Sequence, residues 1–369
     1  MSIETISNRQ GFFLISMHFV GSLVMIGADI AAKQDVWISV ILSLILSIPM
    51  LYIYSKLLML YPGKNLFDIA LEVFGNIFGR ILSLLFIWYA FHLGALVIRN
   101  FSEYINVVSL PETPQTMSIY FIGLLCIWMC KAGIEVLGRW SSFTIPLILF
   151  ILIITIILSL TKAHFINLKP VMYEGIKPIL YSSFSFLAFP FLETVIFTML
   201  FNNIKNNDKM FRLFLTSAIM GGAAILCVLV RNVLVIGAEG VNQVYFPSML
   251  AVKTITVGIF IQRIELVVSI VFIFGAFVKI SVCLLATSIG VSKILKIDNY
   301  RNIVAPLGLL MMSLALIVYD NLMEMFNWAN NIYQYYAIPF QFILPIVLLI
   351  GAKIKIKLQA KKQKKISSG

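Results

Sequence analysis

Glu193 and Lys279 are charged side chains set inside long apolar segments of this chain. A lysine at the centre of a membrane span costs about 2.5–3.5 kcal/mol on insertion scales, so it implies a partner or a function. Lys279 lies in Phe-Gly-Ala-Phe-Val-Lys-Ile-Ser-Val-Cys. Glu193 follows Phe189-Pro-Phe-Leu, and we expect the two to pair. His18 and His92 also fall in apolar segments; the plainer reading of each is a helix-packing residue. This set suits the holding of a charged solute or ion better than catalysis. No Gly-x-Ser-x-Gly elbow, HExxH or phosphate-binding Gly-Lys-Ser/Thr loop occurs, and the three histidines are scattered at 18, 92 and 164. No enzyme, cofactor or metal site is expected. Cys126, Cys130, Cys227 and Cys283 have neither metal-ligand nor disulfide-framework spacing and read as packing residues.

The segments around these charges contradict themselves. Tyr181 to Leu200 is long enough to span, yet it holds three serines, Pro190 and Glu193. Gly21-Ser22 and Gly27 interrupt 10–32 in the same way. Interrupted helices survive in a membrane only where protein or a water-filled cavity satisfies the freed backbone groups. Two of them half a chain apart point to a solute site at the midplane. A half-helix start offers free N–H groups to a carboxylate, and a half-helix end offers carbonyls to an ammonium.

Of the 369 residues, 60% are hydrophobic and only 12% charged, which leaves room for no separate soluble domain. At about 20 apolar residues per helix we expect ten spans. They are 10–32, 35–58, 80–106, 115–133, 141–162, 178–201, 211–238, 264–290, 302–323 and 335–356. The fold class is an all-α polytopic membrane protein of one domain over 1–369. Spans one to five (about 10–162) and six to ten (about 178–356) form a 5+5 inverted repeat. Helices 1 and 6 are the broken ones, as in LeuT-like amino acid–polyamine–organocation transporters. The first span reads as uncleaved. Lysine and arginine cluster on the N-terminal side and in the tail 357–369, so both termini are expected in the cytosol. The net charge of +12 is mostly this asymmetry; the tail suits anionic lipid, and nucleic acid is not an expected partner. Lys279 then has two readings: a structural pair with Glu193, or a positive charge beside broken helix 1 where sodium sits in related architectures.

Residues 61–75 read as an amphipathic surface helix with a Pro-Gly start and a Gly stop. Glu239 to Arg263 is too polar to span, and holds a short outer helix with Pro247 in its first turn. It is a candidate gate over the pocket. Arg231 and Asn232 are expected to snorkel at the outer surface, and Asp29 and Asp35 to be solvated.

Four stretches carry a family resemblance: Arg9-Gln-Gly-Phe…His18-Phe-Val-Gly21-Ser; Asp35-Val-Trp37-Ile-Ser; Phe189-Pro-Phe-Leu-Glu193; and Tyr245-Phe-Pro247-Ser…Ile261-Gln-Arg263-Ile-Glu265 running on to Lys279. In order and spacing the chain resembles the B subunits of spore germinant receptors, the endospore germination permeases. The resemblance implies a ten-span subunit in the inner membrane of the spore. It would bind a small germinant, usually an amino acid, and work with a receptor A subunit and a lipoprotein C subunit. It also implies a ligand pocket at Gly21, Ser22, His92, Leu93, Phe189, Pro190, Lys279 and Cys283, with Glu193 beside Lys279. Relatives often carry Gly-x-Gly in the first break, where this chain has Gly21-Ser22-Leu23. A proton-coupled amino-acid permease is the alternative function.

Overall fold

The structure is a computed structural model. It describes residues 4–23, 25, 26, 30–202, 204, 207–254 and 264–367, with side chains omitted for 264–267 and 362–367. Gly27 and Asp29, and the end of the outer segment at 255–263, lie outside the described residues.

Helix α1 (Asn8–Val20) starts two residues before the expected span, because Ser7 and Gln10 form a capping box. The Ser7 hydroxyl accepts the Gln10 N–H at 3.2 Å, and the Gln10 side chain accepts the Ser7 N–H at 2.9 Å. The helix ends at Gly21, the expected break. Helix α2 (Val36–Leu60) follows, then α3 (Leu66–Tyr104). Gly75, at φ 75, divides α3 into the surface helix and a spanning helix. Asp68 and Glu72 on the surface part bind Lys293 and Lys355 respectively, which docks it beneath the bundle.

Helices α4 (Gln115–Ala132) and α5 (Ile134–Ser159) complete the first half. The second half opens with α6 (Ile176–Phe186). The chain then passes through a wide turn at Leu187–Phe191 and a tight one at Leu192–Ile196 before α7 (Phe197–Leu200). Phe189 has extended backbone (φ −133, ψ 110) where a helix cannot continue. Long α8 (Met210–Asn242) leads to the short helix α9 (Pro247–Lys253), with Pro247 in its first turn as expected. Helix α10 (Ile264–Leu295) carries Lys279, and α11 (Arg301–Ile317) follows. The last span is assembled from α12 (Leu322–Asn327), α13 (Tyr333–Ile338) and α14 (Leu344–Ser367), joined by wide π turns at Trp328–Ile332 and Pro339–Ile343.

Eight described helices are long and apolar enough to cross a membrane; α11, at 17 residues, is a shorter apolar helix, and α1 has 13. Position in the bundle follows burial. In α10, 83% of the apolar window is inside the protein, against 33% in α5. Helix α10 is therefore the scaffold, packed on α3, α1, α4 and α5, and α5 turns most of its surface to lipid. Helices α1 and α10 cross closely at Gly21 and Gly275: a Cβ on Gly275 would lie 2.4 Å from the Gly21 Cα.

Three polar residues, Arg231, Asn232 and Asp35, depart from their expected places. Arg231 is buried (4% exposed), not snorkelling. Its guanidinium donates to the Asn232 side chain at 2.8 Å and the Ser248 carbonyl at 3.4 Å; Asn232 donates to the Ser248 hydroxyl at 3.0 Å. The pair anchors α9 to α8, and burial of its polar groups is offset by these hydrogen bonds. Asp35 is likewise buried, because both carboxylate oxygens accept the Met172 N–H, at 3.0 and 2.9 Å.

Candidate solute site at the helix breaks

The break after α1 and the break after α6 meet around one carboxylate. Glu193 has no exposed surface, and its Oε2 lies 2.6 Å from the Lys279 ammonium, itself 1% exposed. The expected pair is present. Lys279 also donates to the Ser22 hydroxyl at 2.8 Å and stands 4.5 Å over the Phe189 ring. One lysine thus ties α10 to both breaks. The imidazole Nε2 of His18 is 3.4 Å from Glu193 Oε2, so α1 contributes a third ionisable group. A buried carboxylate needs such company, because burying an unpaired charge is far more costly than burying a pair.

The other carboxylate oxygen is held by the last span. The Tyr333 hydroxyl donates to Glu193 Oε1 at 2.6 Å. Tyr333 and Tyr89 hydroxyls are 3.2 Å apart. Gln341 donates to Tyr89 at 2.8 Å and to the freed Ala188 carbonyl in the α6 break at 2.9 Å. Tyr54 donates to the Gln341 carbonyl and, at 3.4 Å, to the Leu192 carbonyl. The broken backbone is therefore satisfied by protein side chains.

A cavity of about 80 Å³ opens above this cluster. Its floor is Glu193, Phe189 and Tyr333, and its walls include Ile26, Leu93, Val97, Phe186 and Trp328, with Asn100, Ser182 and Asn330 as polar points. It exceeds the roughly 10–15 Å³ that one water needs, and suits a slim solute. Two residues along the chain from the lining residue Ala31, Lys33 pairs with Glu174 at 3.0 Å and Glu239 at 3.2 Å.

These distances set each expected site residue in place. Leu93, Phe189 and Glu193 line the cavity, and Ser22 and Lys279 sit directly beneath through the Glu193 pair. Four stand back from the wall. Gly21 faces Gly275, and Pro190 is buried within the α6 break. Cys283 is buried next to Gly94. His92 stacks on Trp88 at 5.4 Å and meets Tyr336 edge-on at 5.1 Å. The sequence reading missed Tyr333, Tyr89 and Gln341. For Tyr333 and Gln341 the only signal was the polar and aromatic run Tyr333-Gln-Tyr-Tyr…Pro339-Phe-Gln341; Tyr89, in α3, had none.

The overall fold recurs in solved structures. The nucleobase–cation symporter Mhp1, closed around bromovinylhydantoin, superposes with a TM-score of 0.69 at 13% identity, covering 92% of this chain and 77% of that one. MhsT in complex with L-phenylalanine gives 0.63 at 13% identity, covering 92% and 97%. Likeness at that identity establishes the fold, the LeuT-like one expected. Residues 5–323 match the pattern of the family described as spore germination protein. This chain belongs to that family. It is 28% identical to spore germination protein KB of Bacillus subtilis over 98% of both chains. It is 27% identical to the putative spore germination protein YfkT of the same organism over 90% of both. As a spore germination protein it is a multi-pass membrane protein built on a transporter fold, with a buried charge pair where the two breaks meet.

Proposed function

We propose that this spore germination protein is the integral membrane subunit of a germinant receptor. A small amino acid enters the cavity between the two breaks, and its binding triggers germination. The observation that supports this best is the cavity ending on Glu193, in a member of a germination family. The subunit would sit in the inner membrane of the spore with both termini in the cytosol, as one domain of ten spans in two inverted five-span repeats. A receptor A subunit and a lipoprotein C subunit would read its conformation. The nine residues Gly21, Ser22, His92, Leu93, Phe189, Pro190, Glu193, Lys279 and Cys283 form the proposed ligand region and its support. Deletion of the gene tests the reading. Spores lacking it should lose the response to one class of germinant on a panel of amino acids, nucleosides and sugars, and keep the others. An unchanged response across the panel would overturn it.

The likeness to transporters supports a second reading, a proton-coupled amino-acid permease. Uptake of labelled amino acid by the isolated protein in proteoliposomes would favour it. A sensor need only change shape.

A further inference from the structure

We propose that Glu193 Oε1 is the docking point for a ligand ammonium group, and that Tyr333 is a built-in competitor for that oxygen. The inference rests on the cavity being the germinant site. Among its lining residues Glu193 is the single carboxylate, and none is lysine or arginine. Lys279 and His18 offset this charge from outside the lining, so what the cavity offers a cationic group is the acceptor Oε1 rather than a net negative floor. Oε2 is taken by Lys279 at 2.6 Å, whereas Oε1 is held by a neutral phenol, Tyr333, at 2.6 Å. An ammonium is the stronger donor, since charge-assisted hydrogen bonds are about twice as strong as neutral ones.

Tyr333 also lines the cavity, so a ligand reaching Oε1 meets the phenol there. The displaced hydroxyl has somewhere to go. Tyr89 OH is 3.2 Å away and is already oriented by Gln341. The segment that carries Tyr333 is a helix of six residues between two π turns, Trp328–Ile332 and Pro339–Ile343. Such wide turns often accompany functional sites. Ligand binding thus exchanges a bond between the last span and the α6 break for a bond between ligand and break. The ligand class is a small molecule with a primary ammonium and a slim apolar body, which matches the aliphatic and aromatic walls.

The test uses intact spores carrying the complete receptor. L-valine, L-leucine and their α-hydroxy-acid counterparts are applied to wild type and Tyr333→Phe. The variant keeps the ring and removes the competing donor. Half-maximal concentrations for the amino acids should fall about tenfold, the size of one hydrogen bond to a charged group. The hydroxy acids should stay weak in both. A purely structural tyrosine would instead lower protein level or maximal rate with no leftward shift. An unchanged or raised half-maximal concentration at normal protein level overturns the proposal. Should Tyr333→Phe fail to accumulate, Tyr89→Phe decides: it removes the displaced phenol's second partner and should raise the half-maximal concentration several-fold, and no change there also overturns the proposal. Wild-type spores that respond through this receptor while Tyr333→Phe shows no shift defeat this inference alone. Wild-type spores in which deletion of the gene alters no response defeat the receptor reading as well.

Discussion

At the residue scale the site is a balance of charges that cannot be dismantled one at a time. Glu193 and Lys279 are both buried and 2.6 Å apart. Glu193→Gln leaves an ammonium without its carboxylate, and Lys279→Gln leaves the converse; breaking a buried pair on one side costs about 3–5 kcal/mol. We expect each single variant to accumulate poorly in the membrane and the double variant to recover much of the loss. Additive losses in that double-mutant cycle would mean that the two groups are not coupled. This pair was legible in the sequence because a charge in an apolar span has so few explanations. Tyr333 and Gln341 were not. A tyrosine or glutamine near the end of an apolar span resembles an interfacial anchor, and only the fold shows that both turn inward to another helix.

At the element scale the breaks were legible, but what fills the space beside them was not. Glycine, serine and proline announced that the helices stop near Gly21 and Phe189, and both do. Gly21 read as room for a ligand against bare backbone. That room belongs to Gly275: a Cβ on Gly21 would lie 2.6 Å from the Gly275 carbonyl oxygen. No periodicity within one segment reveals which other helix will press against it. We therefore expect Gly275→Val and Gly21→Leu alike to reduce the amount of folded protein, not merely its response. Overpacking costs about 1–3 kcal/mol or more, and here the opposing atoms are backbone that cannot rotate away. A Gly21→Leu protein present at normal level but unresponsive would show that the crossing is looser than this. The Lys33 cluster gives a second element-scale test. Lys33 adopts left-handed backbone (φ 48) while gripping Glu174 and Glu239, so three segments meet at one strained residue. Lys33→Glu replaces attraction by repulsion. It should speed labelling of a cysteine at Asn100, on the cavity wall, by membrane-impermeant thiol reagents. Equal labelling rates would show that the Lys33 contacts do not restrict entry.

At the scale of the whole molecule a segment that precedes the first helix ties the N-terminal face together. Glu4 pairs with Arg301 at 2.5 Å, accepts from the Tyr300 hydroxyl at 3.2 Å, and accepts the Ile134 N–H at 3.3 Å. Ile6 bridges to Ile204, beyond α7. One carboxylate thus joins the starts of α5 and α11, and with Ile134, Tyr300 and Arg301 it lines a second cavity. Nothing in the first residues announced this. Glu4 stands in a short polar stretch, and its role depends on helices that follow more than a hundred residues later. A sensor on this fold needs two states that bind ligand unequally, because equal binding shifts nothing. This N-terminal tie belongs, in our reading, to the state whose cavity ends on Glu193. Weakening it should raise the population of the other state, and the apparent affinity falls by the fraction of competent receptor that is lost. We expect Glu4→Gln to raise the half-maximal germinant concentration several-fold while the maximal rate at saturating ligand survives, since enough ligand pulls the population back. The shift should vanish if Arg301→Gln is already present, because both changes open the same contact. An unshifted half-maximal concentration at normal protein level would mean that the N-terminal tie does not distinguish the two states.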